Sequence, residues 1–228
     1  MEFQKRTKLA DRILPEYTKG EEIFNMVSHI VGGVIGITTI ALCCVFAGIG
    51  HDVYGVVSGA IFGAMMLVLY TMSSIYHGLK PNTTAKKVFQ VIDHCSIYIL
   101  IAGTYTPIAL CTMRENNTAQ GWVLFGLIWG MAIIGIILNS IDLKKYKLFS
   151  MISYIVMGWC IVVRIDLIIK LLGWGAFFML LSGGIAYTIG AVLYKIGKKK
   201  KWMHSIFHIF CVIGSILHFL MILFYVIL

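Results

Sequence analysis

The chain has 228 residues, 59% of them hydrophobic and only 13% charged, with a mean hydropathy of +0.89. That composition excludes a soluble domain of this size and predicts a polytopic membrane protein. The formal net charge of +9 reads first as an orientation signal, with attraction to anionic lipid headgroups second, and gives no reason to expect nucleic-acid binding.

The first stretch, MEFQKRTKLADRILPEYTKGEEIF, mixes basic and acidic residues and lacks the apolar core and small-residue cleavage site of a signal peptide, so it is expected to remain in the mature chain. Lys5 to Arg12 suit either a short basic helix on the membrane surface or a solvated tail. Seven apolar runs follow, at Phe24 to Phe46, Val53 to Tyr76, Val88 to Cys111, Trp122 to Ile141, Leu148 to Val163, Leu172 to Tyr194 and Trp202 to Leu228. Each approaches or exceeds the roughly 20 residues that a helix needs to cross the hydrocarbon core, the fifth being shortest. Backbone groups in lipid must be satisfied within the segment, so runs this long are helices. The expected fold class is an all-α integral membrane protein with seven transmembrane helices. It divides into a basic cytoplasmic tail at 1–22 and a single membrane domain at 23–228, with no internal repeat.

All but three of the 19 lysines and arginines fall in the N-terminal tail and the second, fourth and sixth loops; the exceptions are Arg114, Arg164 and Lys170. The positive-inside rule then predicts a cytoplasmic N-terminus and an extracellular C-terminus. Cys43, Cys44, Cys95, Cys111, Cys160 and Cys211 lie in apolar runs with no CxxC pair, which argues against a disulfide framework or a cysteine metal site. Gly32, Gly33 and Gly36, and Gly183 and Gly184, predict close helix approach. Trp122, Trp174 and Trp202 predict interfacial anchors. Pro107 predicts a kink near the end of the third helix.

Among acidic and basic side chains, only Asp93 lies within a predicted span, five residues past Val88 and roughly 7 Å deep on the cytoplasmic side. His77 closes the second helix, and His204 and His208 open the seventh at a spacing of four, on one face. All three share the level of Asp93, although the topology was set by the lysines alone. Histidines near headgroups can simply reach water, but three of them beside a carboxylate at one depth predict a metal centre. Three imidazoles leave a tetrahedral zinc ion one open position, the catalytic pattern. Asp93 is then the water-activating carboxylate, and Ser73, one turn before His77, supports it or an imidazole by a hydrogen bond.

His94 lies about 100° around the helix from Asp93 and is expected to meet a neighbouring helix; His51 is expected in the solvated outer loop. His29 is expected either in the cavity or packed against the glycines. With His204, His208, Cys211 and Ser215, His218 extends a polar stripe roughly 21 Å long, either a cavity lining or a packing seam. No GxSxG, phosphate-binding loop or HExxH is present.

SSIYH at 73 to 77, DHCSIYILIAGTYTP at 93 to 107, HSIFHIFCVIGSILHF at 204 to 219 and SHIVGG at 28 to 33 resemble the signature segments of the haemolysin III proteins, the bacterial branch of the progestin and adipoQ receptor family. The resemblance runs from about residue 22 to the end. It implies seven helices, a cytoplasmic N-terminus and zinc held near the cytoplasmic face by His77, His204 and His208, with Asp93 on the zinc-bound water and Ser73 behind it. Similarity to adiponectin receptors and, distantly, to alkaline ceramidases implies hydrolysis of a lipid amide. The haemolysin name implies a cytolytic pore, and other bacterial members imply upkeep of membrane lipid state. The reading preferred is a zinc-dependent hydrolase of an acyl lipid in the cell membrane. Its partner is a membrane lipid, and with so little outer surface no protein hormone is expected.

Overall fold

The computed structural model describes residues 6–197 and 200–228, whose regular secondary structure is all helix, without strands. Lys5 of the expected surface helix and Lys198 and Lys199 of the sixth loop lie outside the described residues. In chain order the helices are α1 (Lys19–Ile49), α2 (Val53–Gly78), α3 (Thr84–Pro107), α4 (Thr118–Asp142), α5 (Lys147–Trp159), α6 (Ile165–Gly197) and α7 (Met203–Ile222). Among the described residues, five are long and apolar enough to cross a membrane: α1, α2, α3 with its continuation to Asn116, α4, and α7 with its continuation to Ile227. The other two predicted spans differ in form. The fifth is 13 helical residues ending in a 3₁₀ turn at Cys160–Arg164. The sixth begins at Ile165 and is broken at Gly173, whose φ of 81° is open to glycine and strained for other residues.

Two boundaries change the polar inventory. Helix α1 starts at Lys19 because Thr18 caps it: the hydroxyl accepts from the Glu21 N–H, and the Glu21 carboxylate accepts from the Thr18 N–H at 2.9 Å. Thr83 caps α3 by accepting from the Lys86 N–H at 3.2 Å. Asp93 is therefore not the sole ionisable group of these helices besides histidine. Glu21 and Glu22 lie in the first turn of α1, and Lys86 in that of α3, with Glu21 and Lys86 4% and 1% exposed. Among the described residues before Thr18, from Arg6 on, there is no basic surface helix. This stretch carries only a turn at Lys8 to Asp11 and is pinned by the Arg6 Nε donating to Ile141 O and the Thr7 N–H donating to Asp142 Oδ2, both at 2.8 Å.

Helix α1 is polar inward and apolar outward. Asn25, His29, Gly32, Gly36, Thr39 and Cys43 recur at steps of three and four on its buried face, whereas Val27, Ile30, Val34 and Ile37 are about half exposed on the other. This inverted amphipathicity suits a helix whose solvent is lipid. The buried face lies directly on α2. A Cβ at Gly36 would stand 2.8 Å from the Leu67 N and 3.2 Å from the Gly63 O, and one at Gly63 would stand 2.7 Å from the Ile40 N. Gly184 does not approach a neighbour in this way, whereas Gly183 lies under the His218 ring. Pro107 ends α3, and a π-helical turn at Ile108–Met113 follows at once, since the missing N–H breaks the regular ladder. Helix α3 packs between α2 and α4, and α7 between α1 and α6.

Gly36→Val should therefore destabilise the protein by about 1–3 kcal/mol through overpacking against backbone. Gly126→Ala, where the new Cβ meets nothing within 4 Å, should leave the thermal midpoint in detergent unchanged; equal midpoints for both variants would remove the Gly36 contact as the cause.

Candidate metal centre

Hydrogen bonds at two levels set the height of α7 against its neighbours. Trp202 takes a left-handed conformation, φ 65°, just before Met203, and its N–H donates to Glu21 Oε1 at 2.6 Å. Farther along, Ser215 Oγ lies 2.7 Å from the Tyr70 hydroxyl and 2.6 Å from that of Tyr187, and the Tyr70 hydroxyl also reaches Cys211 O at 3.1 Å. The first bond belongs to the mouth of the bundle and the others to its interior, so the polar face of α7 is held at two levels.

At this register the three predicted ligands meet. His204 Nε2 lies 3.4 Å from His77 Nε2 and 3.1 Å from His208 Nε2, and one ring nitrogen from each of the three falls within a common 4.8 Å. Exposure is 2% for His77 and His208 and 8% for His204. The 3.4 and 3.1 Å separations are near the roughly 3.3 Å edge of a tetrahedron with metal–nitrogen bonds of about 2.0–2.1 Å. His77 Nδ1 donates to Glu22 Oε2 at 2.6 Å, which leaves its Nε2 as a lone-pair donor toward the other rings. Glu22 Oε1 in turn accepts from Lys86 Nζ at 2.7 Å, and the same ammonium donates to Leu79 O at 3.1 Å. The donor set thus fits a divalent metal ion.

Other rings enclose the triad. His29 stacks on His208, centroids 3.7 Å apart and planes 16° from parallel, so it faces the ring rather than joining it edge-on. Tyr17, from the strap before α1, stacks on His204 at 4.8 Å and 17°. Burial pushes the Tyr17 phenol well above its ordinary range, reinforced by Tyr76, Tyr194, Glu22 and Asp93, so it covers the triad as a neutral ring. Among the described residues, both ring nitrogens of His29, both side-chain atoms of Asn25, Ser205 Oγ and the Nδ1 atoms of His204 and His208 are buried without a hydrogen-bond partner.

The remaining predicted residues fall as follows. Asp93 is on α3 with its side chain 18% exposed and Oδ2 3.9 Å from His94 Nδ1; it is not one of the three groups that converge. Its charge acts on Tyr17 and so lies in the same neighbourhood. Ser73 is buried one turn before His77. His94 meets neighbouring groups, with Nδ1 2.9 Å from Gln90 O and Nε2 3.4 Å from the Tyr194 hydroxyl. Beyond His208 the polar stripe is a packed seam. Ser215 is held by two tyrosines, and His218 Nε2 donates to Leu180 O at 3.2 Å. His218 also borders an apolar cavity with Tyr105, Trp159, Ile161, Phe177 and Leu180, about 21 Å along α7 from His204. Glu22, Lys86 and Tyr17 escaped the sequence reading; the capping pattern Thr18-x-x-Glu21, which moves the helix start back to Lys19, was the signal that would have found Glu22.

The family model described as haemolysin-III related matches residues 17–219. The chain is 36% identical over 206 residues to hemolysin-3 of Bacillus cereus, covering 90% of this chain and 92% of that protein. It is 35% identical over 209 residues to a hemolysin-3 homolog of Bacillus subtilis, covering 92% and 96%. A more distant relative, the human monocyte to macrophage differentiation factor, is 24% identical over 175 residues, covering 75% and 71%.

Removing the Tyr17 ring should open the triad from this side. Tyr17→Ala should raise the rate at which diethyl pyrocarbonate modifies His204 several-fold while leaving His218, 8% exposed on the far seam, at its original rate; mass-spectrometric mapping of the labelled sites checks both.

Proposed function

The chain belongs to the haemolysin III family of multi-pass membrane proteins, and from that premise we propose that it is a zinc-dependent hydrolase of an acyl lipid, amide or ester. The observation that carries the proposal is the convergence of the His77, His204 and His208 Nε2 atoms from two helices, with one lone pair already aimed by Glu22. Buried neutral imidazoles at these spacings suit zinc over harder, oxygen-preferring cations. When bound there, zinc supplies Lewis acidity toward a carbonyl oxygen and makes water a nucleophile near neutral pH.

The chain's own groups divide the remaining work. Asp93, through a carboxylate oxygen, accepts the proton of the attacking water and returns it to the leaving amine or alcohol. Ser73 steadies Asp93 or an imidazole by a hydrogen bond. Because the seam beyond His208 is filled by Tyr70, Tyr187 and Ser215, the lipid carbonyl reaches the triad from the mouth that Tyr17 covers rather than down the face of α7. The proposed topology has seven crossings, with α5 and α6 completing the five long spans, and places that mouth on the cytoplasmic side.

A second reading has a specific observation in its favour. The triad joins α2 to α7, while Asp93 stands outside the group of converging atoms. In that reading the metal braces the bundle of a sensor or regulator of membrane lipid state. The cytolytic activity suggested by the names of the Bacillus relatives is a third, for which the seam of filled side chains offers no evident conduit within one chain.

Purified protein in lipid should carry about one zinc per chain by elemental analysis and release free fatty acid. His208→Ala should lose both, with turnover falling at least 100-fold, the scale of losing a metal ligand's contribution. Undiminished release by the variant, or no metal in the wild type, would overturn the proposal. Zinc without turnover would favour the brace, and liposome leakage indifferent to chelator would favour the pore.

A further inference from the structure

Of the residues that contact the triad from outside, one that no sequence motif singled out makes a short, directional bond to it. Glu22 Oε2 lies 2.6 Å from His77 Nδ1, and the His77 side chain is fully buried while that of Glu22 is 15% exposed. A neutral imidazole carries one proton and has two sites for it. A carboxylate at Nδ1 accepts that proton's hydrogen bond and so fixes it there, leaving the Nε2 lone pair to point at His204 and His208. Without an acceptor at Nδ1, the proton is free to occupy Nε2, where it would face the other two rings and block metal ligation.

The carboxylate is itself held. Lys86 Nζ donates to Glu22 Oε1 at 2.7 Å and to Leu79 O at 3.1 Å, and stands 5.0 Å from the centroid of the Tyr76 ring. A lysine 1% exposed is costly unless its charge is matched, and Glu22 matches it. The pair is therefore electrically balanced and anchored at two helix ends, α1 through Glu22 and α3 through Lys86, with the Leu79 carbonyl just past α2 between them. Both oxygens of the carboxylate are engaged by different partners, which fixes its plane as well as its position.

We propose that Glu22 is the positioning residue of the metal centre, holding His77 in the Nδ1–H tautomer and oriented in turn by the buried Lys86. This rests on the metal reading above, which supplies the ion; the tautomer itself is a property of the metal-free chain. Glu22 touches neither substrate nor ion in this scheme and acts only through His77.

Single removal of Glu22 would strand the Lys86 ammonium, so the test uses paired substitutions. Glu22→Leu with Lys86→Met deletes the acceptor without leaving an unpaired charge; Glu22→Gln with Lys86→Met keeps a neutral acceptor at the same place. The first readout is the ¹⁵N chemical shifts of His77 in metal-free, histidine-labelled protein. Wild type and the Gln pair should show a protonated Nδ1, and the Leu pair should show Nε2–H or a mixture. The second is zinc affinity by chelator competition, with the Leu pair about 10- to 100-fold weaker than wild type and the Gln pair in between. A Leu pair with the wild-type tautomer and affinity overturns the inference, as does a Gln pair as impaired as the Leu pair. Should the Leu pair fail to fold, Glu22→Asp, which keeps the charge for Lys86 and withdraws the acceptor by one methylene, replaces it with the same expected weakening. A wild type that shows the Nδ1–H tautomer but binds no zinc would instead overturn the metal reading and leave the positioning contact standing.

Discussion

Everything in this bundle depends on the cost of a polar group that leaves water and enters hydrocarbon without a partner, several kcal/mol by general estimates. Helix α1 concentrates such groups on one face; the side chains of Asn25 and His29 there have no hydrogen-bond partner among the described residues, whereas the glutamates of its first turn are answered by bonds that run between helices. Glu21 reaches the start of α7 at Trp202, Glu22 reaches α2 and α3, and Tyr70 meets Ser215 across the interior. Each of these bonds joins elements distant in sequence, so satisfying them fixes the relative heights of α1, α2, α3 and α7. The convergence of the three histidines is a consequence of that alignment, since His77 and the two histidines of α7 reach one level only when those heights agree.

The glycines carry the same logic into the apolar part of the bundle. Gly36 and Gly63 let the backbones of α1 and α2 touch, and Glu22 and His77 each lie fourteen residues away from them, toward the other end of the contact. On two antiparallel helices rising about 1.5 Å per residue, equal separations return the two side chains to one height. A slip at the glycine contact would therefore part Glu22 from His77 even though no residue of the centre had changed. Packing near the bundle's middle and hydrogen bonding at its mouth specify one register together.

The long apolar helices and the grouping of His77, His204 and His208 were legible in the sequence, the first from run length and the second from lysine-based topology and the HxxxH spacing. Glu22 and Lys86 were not, because hydropathy places the ends of spans where apolar residues begin, near Phe24 and Val88, whereas the helices begin at their caps, Thr18 and Thr83. Glu22 then read as part of the N-terminal tail, and Lys86 as a loop charge serving orientation. The stripe from His204 to His218 was ambiguous for another reason: spacing on one helix cannot show whether its neighbour presents space or side chains. Tyr70 and Tyr187, from two other helices, fill that space at Ser215, and only beyond them does His218 border a cavity. The break at Gly173 was likewise silent, since a glycine in an apolar run reads as packing until its φ is known.

The balance of charge around the triad ties these pieces to the proposed chemistry. Lys86 neutralises Glu22, so the carboxylate that orients His77 adds no net charge to the pocket. Three neutral imidazoles add none either. In the proposed centre a dication is then compensated chiefly by Asp93, held off the ring of ligands with its side chain partly accessible. The carboxylate tied to Lys86 has both oxygens engaged, one by the ammonium and one by His77. A carboxylate left outside that network retains an oxygen for water. The two acidic groups near the triad thus differ in their partners: Glu22 is held still by a lysine, whereas Asp93 stands outside that pair with its side chain partly accessible.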